Sequence, residues 1–431
     1  MRIAVVGSGI SGLVSTYLLQ RHHEVVLFEA NDYVGGHTHT VRVDFPGESH
    51  LVDTGFIVFN DWTYPNFMGL LKELDVASQP TTMGFSVHCD RCGLEYAGTT
   101  LATLFAQWRN VFRPSHYYML GDIIRFNRQA LQESAEWDDQ LTLGELLRKE
   151  GYSATFAEHY LLPMGAAIWS CPMTTFEQFP ARFIAEFYRN HGLLNIIDRP
   201  TWHVVSGGSR TYVDRMVSQL HLPPRLKSRV QQITRHEDRV ELHLTAGTES
   251  FDEVVLACHS DQALRMLQAP TSVERDVLAA FPYGDNTAVL HTDEAVLPQR
   301  RQVWSSWNYH IRREEVRPAV TYHMNILQGL TSRRNLLVTL NAEGMVNPET
   351  VLGTYHYSHP VFTAGRAEAQ RRHGELIRTR RTSYCGAYWG NGFHEDGVVS
   401  ALRVCAAFGV VPDWSDLPGT GVRQQGESHV C

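Results

Sequence analysis

Three glycines and one acid set the first chemical expectation. Gly7, Gly9 and Gly12 in VVGSGISGLV are followed by Glu29 at the end of the apolar run EVVLF. This spacing suits the pyrophosphate and ribose of a bound adenine dinucleotide. Gly7 permits a tight turn, Gly9 lets the backbone approach the phosphates, and Gly12 lets helix and strand sit close together. The N-terminus of the helix that follows offers free N–H groups and the positive end of its dipole. Glu29 accepts hydrogen bonds from ribose hydroxyls, which disfavours a 2′-phosphate there. A second bare segment, Gly35 and Gly36 in YVGGHTHTV, comes soon after, and then VDTGF at 52–56. A nicotinamide site needs no such addition, whereas FAD is held along its whole length. The alternative for Gly35 and Gly36 is a simple turn.

A second chemical stretch, YWGNGFHEDGVVSALRV at 388–404, carries His394, Glu395 and Asp396 into a helix. Its imidazole suits His394 to proton transfer near neutral pH. Cys89 and Cys92 in HCDRC have metal-ligand spacing. A tetrahedral zinc site needs about four ligands, and neither a second CxxC nor an HxxxH follows, so no metal is expected. The 22 histidines are dispersed without an HExxH. Lysine occurs only at 72, 149 and 227.

The elements that must position these residues begin with strand RIAVV, helix LVSTYLLQ and strand EVVLF, a strand–turn–helix–strand unit. From about 76 to 200 the spacing becomes mostly helical, in LATLFAQWRNVF, MLGDIIRFNRQALQESAE, TLGELLRKEG and PARFIAEFYRN. Residues 300–345 read as strands, QVWSSWNYHI, AVTYHMNIL and NLLVTLNA, whose aromatic side chains either fill a core or line a long apolar cavity. In LATLFAQWRNVFRPSHYYML, Phe105, Trp108, Phe112, Tyr117 and Tyr118 alternate with Arg109 and Arg113. They pack a helix inside the domain or lie at a membrane surface. The 431 residues, 43% apolar, are enough for two or three domains. A net charge of −8 leaves no footprint for nucleic acid. The seven cysteines are scattered, no export signal precedes IAVV, and no apolar run reaches the roughly 18 residues of a bilayer span. A cytoplasmic protein with reduced thiols is expected.

GSGISG, Glu29 followed by GG, Val230 to Ile233 before a hairpin, the strand FDEVVLAC and an acid before GVVSA together resemble the flavin amine oxidase and phytoene desaturase superfamily. More narrowly, GGHTHTV, DTGFIVFN, LEYAGT, AAIWSCP, GGSRTYV, HPVF and GAYWGNGFHEDG resemble a bacterial group of FAD-dependent oxidoreductases. Relatives of that group form the N-terminal part of plant cyclopropane fatty acid synthases, and bacterial members often neighbour lipid methyltransferases. The likeness spans about residues 1–411.

The resemblance implies an α/β fold, a discontinuous Rossmann-like FAD-binding domain (1–75, 200–270 and 375–411) with an inserted α+β substrate domain (76–199 and 271–374). A mobile tail is expected at 412–431. It places Gly9, Ile10 and Ser11 at the pyrophosphate and Glu29 on the ribose. Gly36 and His37 follow along the phosphates, with Gly55 and Phe56 of VDTGF further along the cofactor. Val230 holds adenine through its backbone, and Asp396, Gly397 and Val398 sit at the flavin end. The alternative for that last group is an ordinary helix cap with Asp396 near the N-cap. Three departures matter. His37 stands where an arginine is common, Ala288 where amine oxidases often place a lysine, and His394 where they place one of two cage tyrosines. The expectation is an oxidoreductase that removes hydride from an apolar substrate, a fatty acyl chain above all, with His394 either the general base or a structural hydrogen-bonding residue. Peripheral membrane contact and a lipid methyltransferase partner go with it. The alternatives are an amine oxidase-like enzyme and a flavin-binding partner protein without turnover.

Overall fold

The run RIAVV forms strand β1 (Arg2–Val6), with Ile3, Ala4 and Val5 wholly buried, as befits a strand covered on both faces. In this computed structural model, which describes residues 1–416 except 170, 196, 314–318, 342–343 and 364, the chain turns at Gly7 into helix α1 (Ile10–Leu19). It returns as β2 (Glu24–Phe28), parallel to β1 with Ala4 opposite Val26. Two more parallel strands arrive from far along the chain: β3 (Glu253–Leu256) beside β1, and β4 (Thr382–Tyr384) beside β3. The order is β4-β3-β1-β2. This is the expected Rossmann-like sheet, built from separated stretches.

Three further helices frame the site: α2 (Pro65–Glu73), α3 (Pro114–Glu133) and α4 (Ala181–Asn190). A fourth, α5 (His394–Ala407), lies along α1. One face of the sheet buries Ile3 and Val5 with Leu13, Phe67 and Val398. The other buries Ala4, Val26 and Val254 against the meander 230–235, 240–244 and 247–251.

A seven-stranded sheet forms the second body, in the order 351–360, 283–291, 337–340, 319–323, 307–311, 85–89, 94–97. All its neighbours are antiparallel except 307–311 with 85–89. One core joins its inner side chains, such as Val87 and Tyr309, to Phe126 of α3 and Ile184 of α4. From Pro114 on the helices fall in the expected stretches, but 78–80, 85–89 and 94–97 are strands, and LATLFAQWRNVF holds only a short helix at Leu101–Leu104 and a 3-10 turn at Trp108–Phe112. Leu143–Lys149 starts on a reciprocal cap in which Thr142 Oγ1 accepts the Glu145 N–H and Glu145 accepts the Thr142 N–H.

Within 300–345 the strands are shorter than the alternation suggests. Residues 301–303 form a 3-10 turn, and the ladder starts only at Trp307. Asn308 Oδ1 accepts the Ser305 N–H at 3.0 Å, a local bond that competes with strand pairing. After Ala319–His323 the chain turns into a short helix at Met324–Leu327, so MNIL is helical.

The segment around Trp108 packs inward only in part: Gln107, Asn110, His116 and Met119 are buried, and Phe105 is half-buried against His116. Leu101 (76%), Trp108 (75%) and Phe112 (71%) are mostly exposed, and Tyr117 and Tyr118 are also exposed. The sequence pattern marks the apolar side chains but not whether a neighbour covers them. Of the expected tail, residues 412–416 lie against α2. The Asp416 N–H donates to Asn66 Oδ1 at 2.8 Å, and the Trp414 indole N–H meets Glu73. The rest of that expectation falls outside the described residues. No helix among the described residues is long and apolar enough to cross a membrane.

Candidate cofactor and active site

Gly7, Gly9 and Gly12 act at the C-terminal end of β1. Gly7 has φ +102°, and a Cβ there would meet the Ala257 carbonyl oxygen at 2.6 Å. A Cβ on Gly12 would lie 1.8 Å from the Gly7 carbonyl oxygen, so a side chain would force α1 off the sheet. Gly9, the N-cap of α1, has nothing within 4 Å of where its Cβ would be. Across from it, a Cβ on Gly36 would come within 3.1 Å of Gly9 Cα. Two bare glycines and the first N–H groups of α1, on Ile10 and Ser11, thus converge on one spot. Nothing in their side chains blocks an approaching phosphate.

Glu29 is held ready at the end of β2. Its Oε2 accepts from Ser8 N at 2.9 Å and Ser8 Oγ at 2.6 Å, and its Oε1 accepts from Asn31 N at 2.8 Å. Ser8, inside the glycine motif, is a residue the motif reading passed over. The Ser228 N–H donates to the Glu29 carbonyl at 2.8 Å, which brings Val230, two residues on, to the same edge. Gly55 pairs closely with His37: a Cβ would lie 2.1 Å from the His37 carbonyl oxygen, and the Phe56 N–H donates to that oxygen at 2.8 Å.

The far loop closes on this group. Ser11 Oγ donates to the Gly397 carbonyl at 2.9 Å, and a Cβ on Gly397 would lie 2.6 Å from Ile10 Cγ2. Val398 is wholly buried. Helix α5 starts at His394. Asp396 is therefore not the N-cap: its carboxylate reaches back to accept the Phe393 N–H at 2.9 Å, while the Gly397 N–H is spent on the Phe393 carbonyl. Burial raises the Asp396 pKa to about 6. The loop passes over that carboxylate at Gly390, where a Cβ would meet Asp396 Oδ1 at 2.1 Å. Buried Arg366, its guanidinium 3.4 Å over the Phe362 ring, holds the Tyr388 and Gly390 carbonyls. Glu395 turns away and caps α2, accepting from Asn66 N, Asn66 Nδ2 and Phe67 N at 3.0, 2.7 and 2.8 Å. Burial lifts its pKa to about 7.

His394 lies in a sealed place. Its ring stacks on Phe56 at 3.5 Å, and Nε2 meets Tyr212 Oη at 2.8 Å and Thr38 Oγ1 at 3.0 Å. Burial drives its pKa down to about 3. An imidazole so desolvated is a weak proton acceptor, so the geometry favours the hydrogen-bonding alternative over the base. The bond runs to two distant hydroxyls, not to its own loop.

His37 is joined by two histidines the sequence does not place beside it. Its ring centroid is 5.2 Å from His359 and 6.2 Å from His259. Burial, then His359 and His259, hold its pKa well below the ordinary value, and its Nε2 is buried without a partner. A cavity of about 250 Å³ opens beside the first turn of α5, lined by Tyr64, Phe183, Phe187, Trp389, Phe393 and Asp396 among others. Aromatic rings gather next to it around Trp169, 4.6 Å from Phe187, with Phe187 5.3 Å from Phe393.

A parallel sheet with a glycine-lined phosphate cradle, an acid at the end of the second strand and a far loop closing on both defines a dinucleotide-binding fold. The profile of the flavin-containing amine oxidoreductases matches residues 10–307, and the chain belongs to that family, with FAD as its cofactor. Over 272 residues, 59% of this chain, it is 27% identical to the "Putative flavin-containing monoamine oxidase AofH" of Mycobacterium tuberculosis. The match spans 56% of that relative's length. Among solved structures, a CLA-producing fatty acid isomerase from P. acnes shares the fold at TM-score 0.68 and 15% identity, over 95% of this chain and 99% of that one. Cyclohexylamine oxidase from Brevibacterium oxydans IH-35A does so at TM-score 0.67 and 15% identity, over 94% and 98%.

Proposed function

We propose that the chain is an FAD-dependent oxidoreductase that removes hydride from an apolar substrate, a fatty acyl chain of a phospholipid above all, introducing or rearranging a C=C bond. The observation that carries this reading is the outward aromatic face. Leu101, Trp108, Val111, Phe112, Tyr117 and Tyr118 are exposed within one short segment. Residues 96–121 hold Arg109 and Arg113 and no carboxylate. Such a face suits the boundary between acyl chains and anionic head groups, which would place the protein on the cytoplasmic membrane surface.

The chain's own residues would bind, orient and shield. Gly9 and Gly36 leave room for the diphosphate, the N–H groups of Ile10 and Ser11 meet it, and Glu29 takes the ribose hydroxyls. When bound, FAD supplies the hydride acceptor. His394 acts as a positioning residue: with Tyr212 and Thr38 it fixes Phe56 against the site. The rings around Trp169 exclude water from the space beside Asp396.

An amine substrate is the second reading, favoured by the family and by the relative's printed name. Ala288 speaks against it. It lies wholly buried in its strand where that chemistry would call for a lysine, and no lysine follows Lys227. Anaerobic mixing with unsaturated or methylated phospholipid, in parallel with primary amines, separates the two by loss of the oxidised flavin absorbance. Bleaching by phospholipid supports the acyl reading; bleaching by amines alone overturns it. The motifs GGHTHTV and GAYWGNGFHEDG, which resemble those of a group related to plant cyclopropane fatty acid synthases, motivate a lipid methyltransferase partner, and lipid binding without bleaching would leave only that role.

A further inference from the structure

We propose that Cys89, Cys92 and His159 bind one zinc ion, a Cys2His site whose fourth position opens to solvent. The two sulfurs and a ring nitrogen of His159 lie within 4.8 Å of one another. Cys92 Sγ is 3.5 Å from His159 Nε2. Tetrahedral zinc with Zn–S of about 2.3 Å and Zn–N of about 2.0–2.1 Å sets that edge at about 3.6 Å, so the groups stand at ligand spacing already. Two thiolates and an imidazole select zinc over the harder divalent ions.

The local backbone brings the two cysteines together. Cys89 ends the strand 85–89, and the turn Asp90-Arg91-Cys92 closes with the Gly93 N–H donating to the Cys89 carbonyl at 2.8 Å. Gly93 takes the left-handed φ of +64° that this turn needs. The Cys92 thiol, His159 and the N–H groups of Cys92 and Arg91 all lie within hydrogen-bonding reach of the Cys89 sulfur. The third ligand comes from elsewhere: His159 sits in a single π turn, Ala157–Leu161, of a kind frequent at functional sites. The Tyr96 hydroxyl donates to the His159 carbonyl at 2.6 Å and fixes that turn against the hairpin. Cys89 is buried and Cys92 exposed, so an ion has a route in.

Zinc there would staple the hairpin 85–97 to the helical layer. The carbonyls of Cys92 and Gly93 also receive the side chains of Arg113 and Gln107, so the staple would steady the segment bearing Trp108 and Phe112. His88, Asp90 and His310 form a neighbouring group: the two imidazoles stack at 4.6 Å, and the two oxygens of the Asp90 carboxylate lie 3.3 Å from His88 and 2.9 Å from His310. Its donors are imidazoles and a carboxylate with no thiol among them, so it provides a control.

The test is metal analysis of the full chain with its flavin, purified without chelator, together with cobalt titration of the metal-stripped protein. We expect about one zinc per chain and, with cobalt, the sulfur-to-metal charge-transfer and strong visible bands of a tetrahedral two-thiolate site. Cys92→Ser and His159→Ala should each lose most of the metal while retaining flavin, whereas His310→Ala should keep both. Zinc-free protein that gives no cobalt bands, a Cys89–Cys92 disulfide in the purified chain, or metal lost from His310→Ala instead would overturn the site.

Discussion

At the scale of single residues, burial sets what each titratable group can do. His394 bonds two hydroxyls and stacks on Phe56. We expect His394→Gln, which can keep a hydrogen bond to Tyr212, to leave the pH profile of substrate-driven flavin bleaching unshifted. Movement of its acid limb would restore the base. His37, facing His359, His259 and His394, is held neutral by burial and by these neighbours, and Asp261 and Asp285 act on His259 in the opposite sense. A bound diphosphate favours the protonated imidazole and raises its pKa on binding. FAD affinity should therefore rise as pH falls below the ordinary histidine value of 6.5, and His359→Gln should flatten that dependence in a fluorescence titration of apoprotein. Glu395 is raised from 4.5 to about 7, so its contribution favours the fold below pH 4.5 and is lost as pH rises through 7. Glu395→Gln should make the thermal midpoint fall less steeply across that window.

At the scale of elements, legibility follows locality. The conformational demands at Gly7 and Gly12 arise from residues a few positions away or on the next strand, so spacing alone gave their roles. Substituting Gly12 by alanine should cost about 1–3 kcal/mol in chemical denaturation and weaken FAD retention with it. The spacing does not show where α5 starts, because Asp396 caps it from inside the first turn, reaching back to the Phe393 N–H. That Glu395 caps α2 at Asn66 and Phe67, more than 300 residues away, left no trace in either local pattern. The same holds for Ser8 under Glu29 and for His159 beside the cysteine pair. Each depends on which elements the tertiary fold brings together.

At the scale of the whole molecule, the sequence marked an aromatic segment but not its outward direction, because exposure is decided by the absence of a covering neighbour. Trp108→Ala with Phe112→Ala removes the two most protruding rings while sparing the buried framework. The double variant should lose most of its sedimentation with phosphatidylglycerol vesicles and keep its flavin content. Equal binding by both proteins would assign that face to something other than lipid.

The order in which the sheet is assembled has a consequence for biosynthesis. Strands β1 and β2 leave the ribosome well before β4 and α5, which complete the sheet, close the loop on α1 and lie at residues 382–407. A nascent chain short of that point holds an open cradle with Gly9 and Gly36 exposed to water. Flavin capture is expected only once residue 407 has been translated, and a ribosome stalled before residue 382 would carry a colourless intermediate.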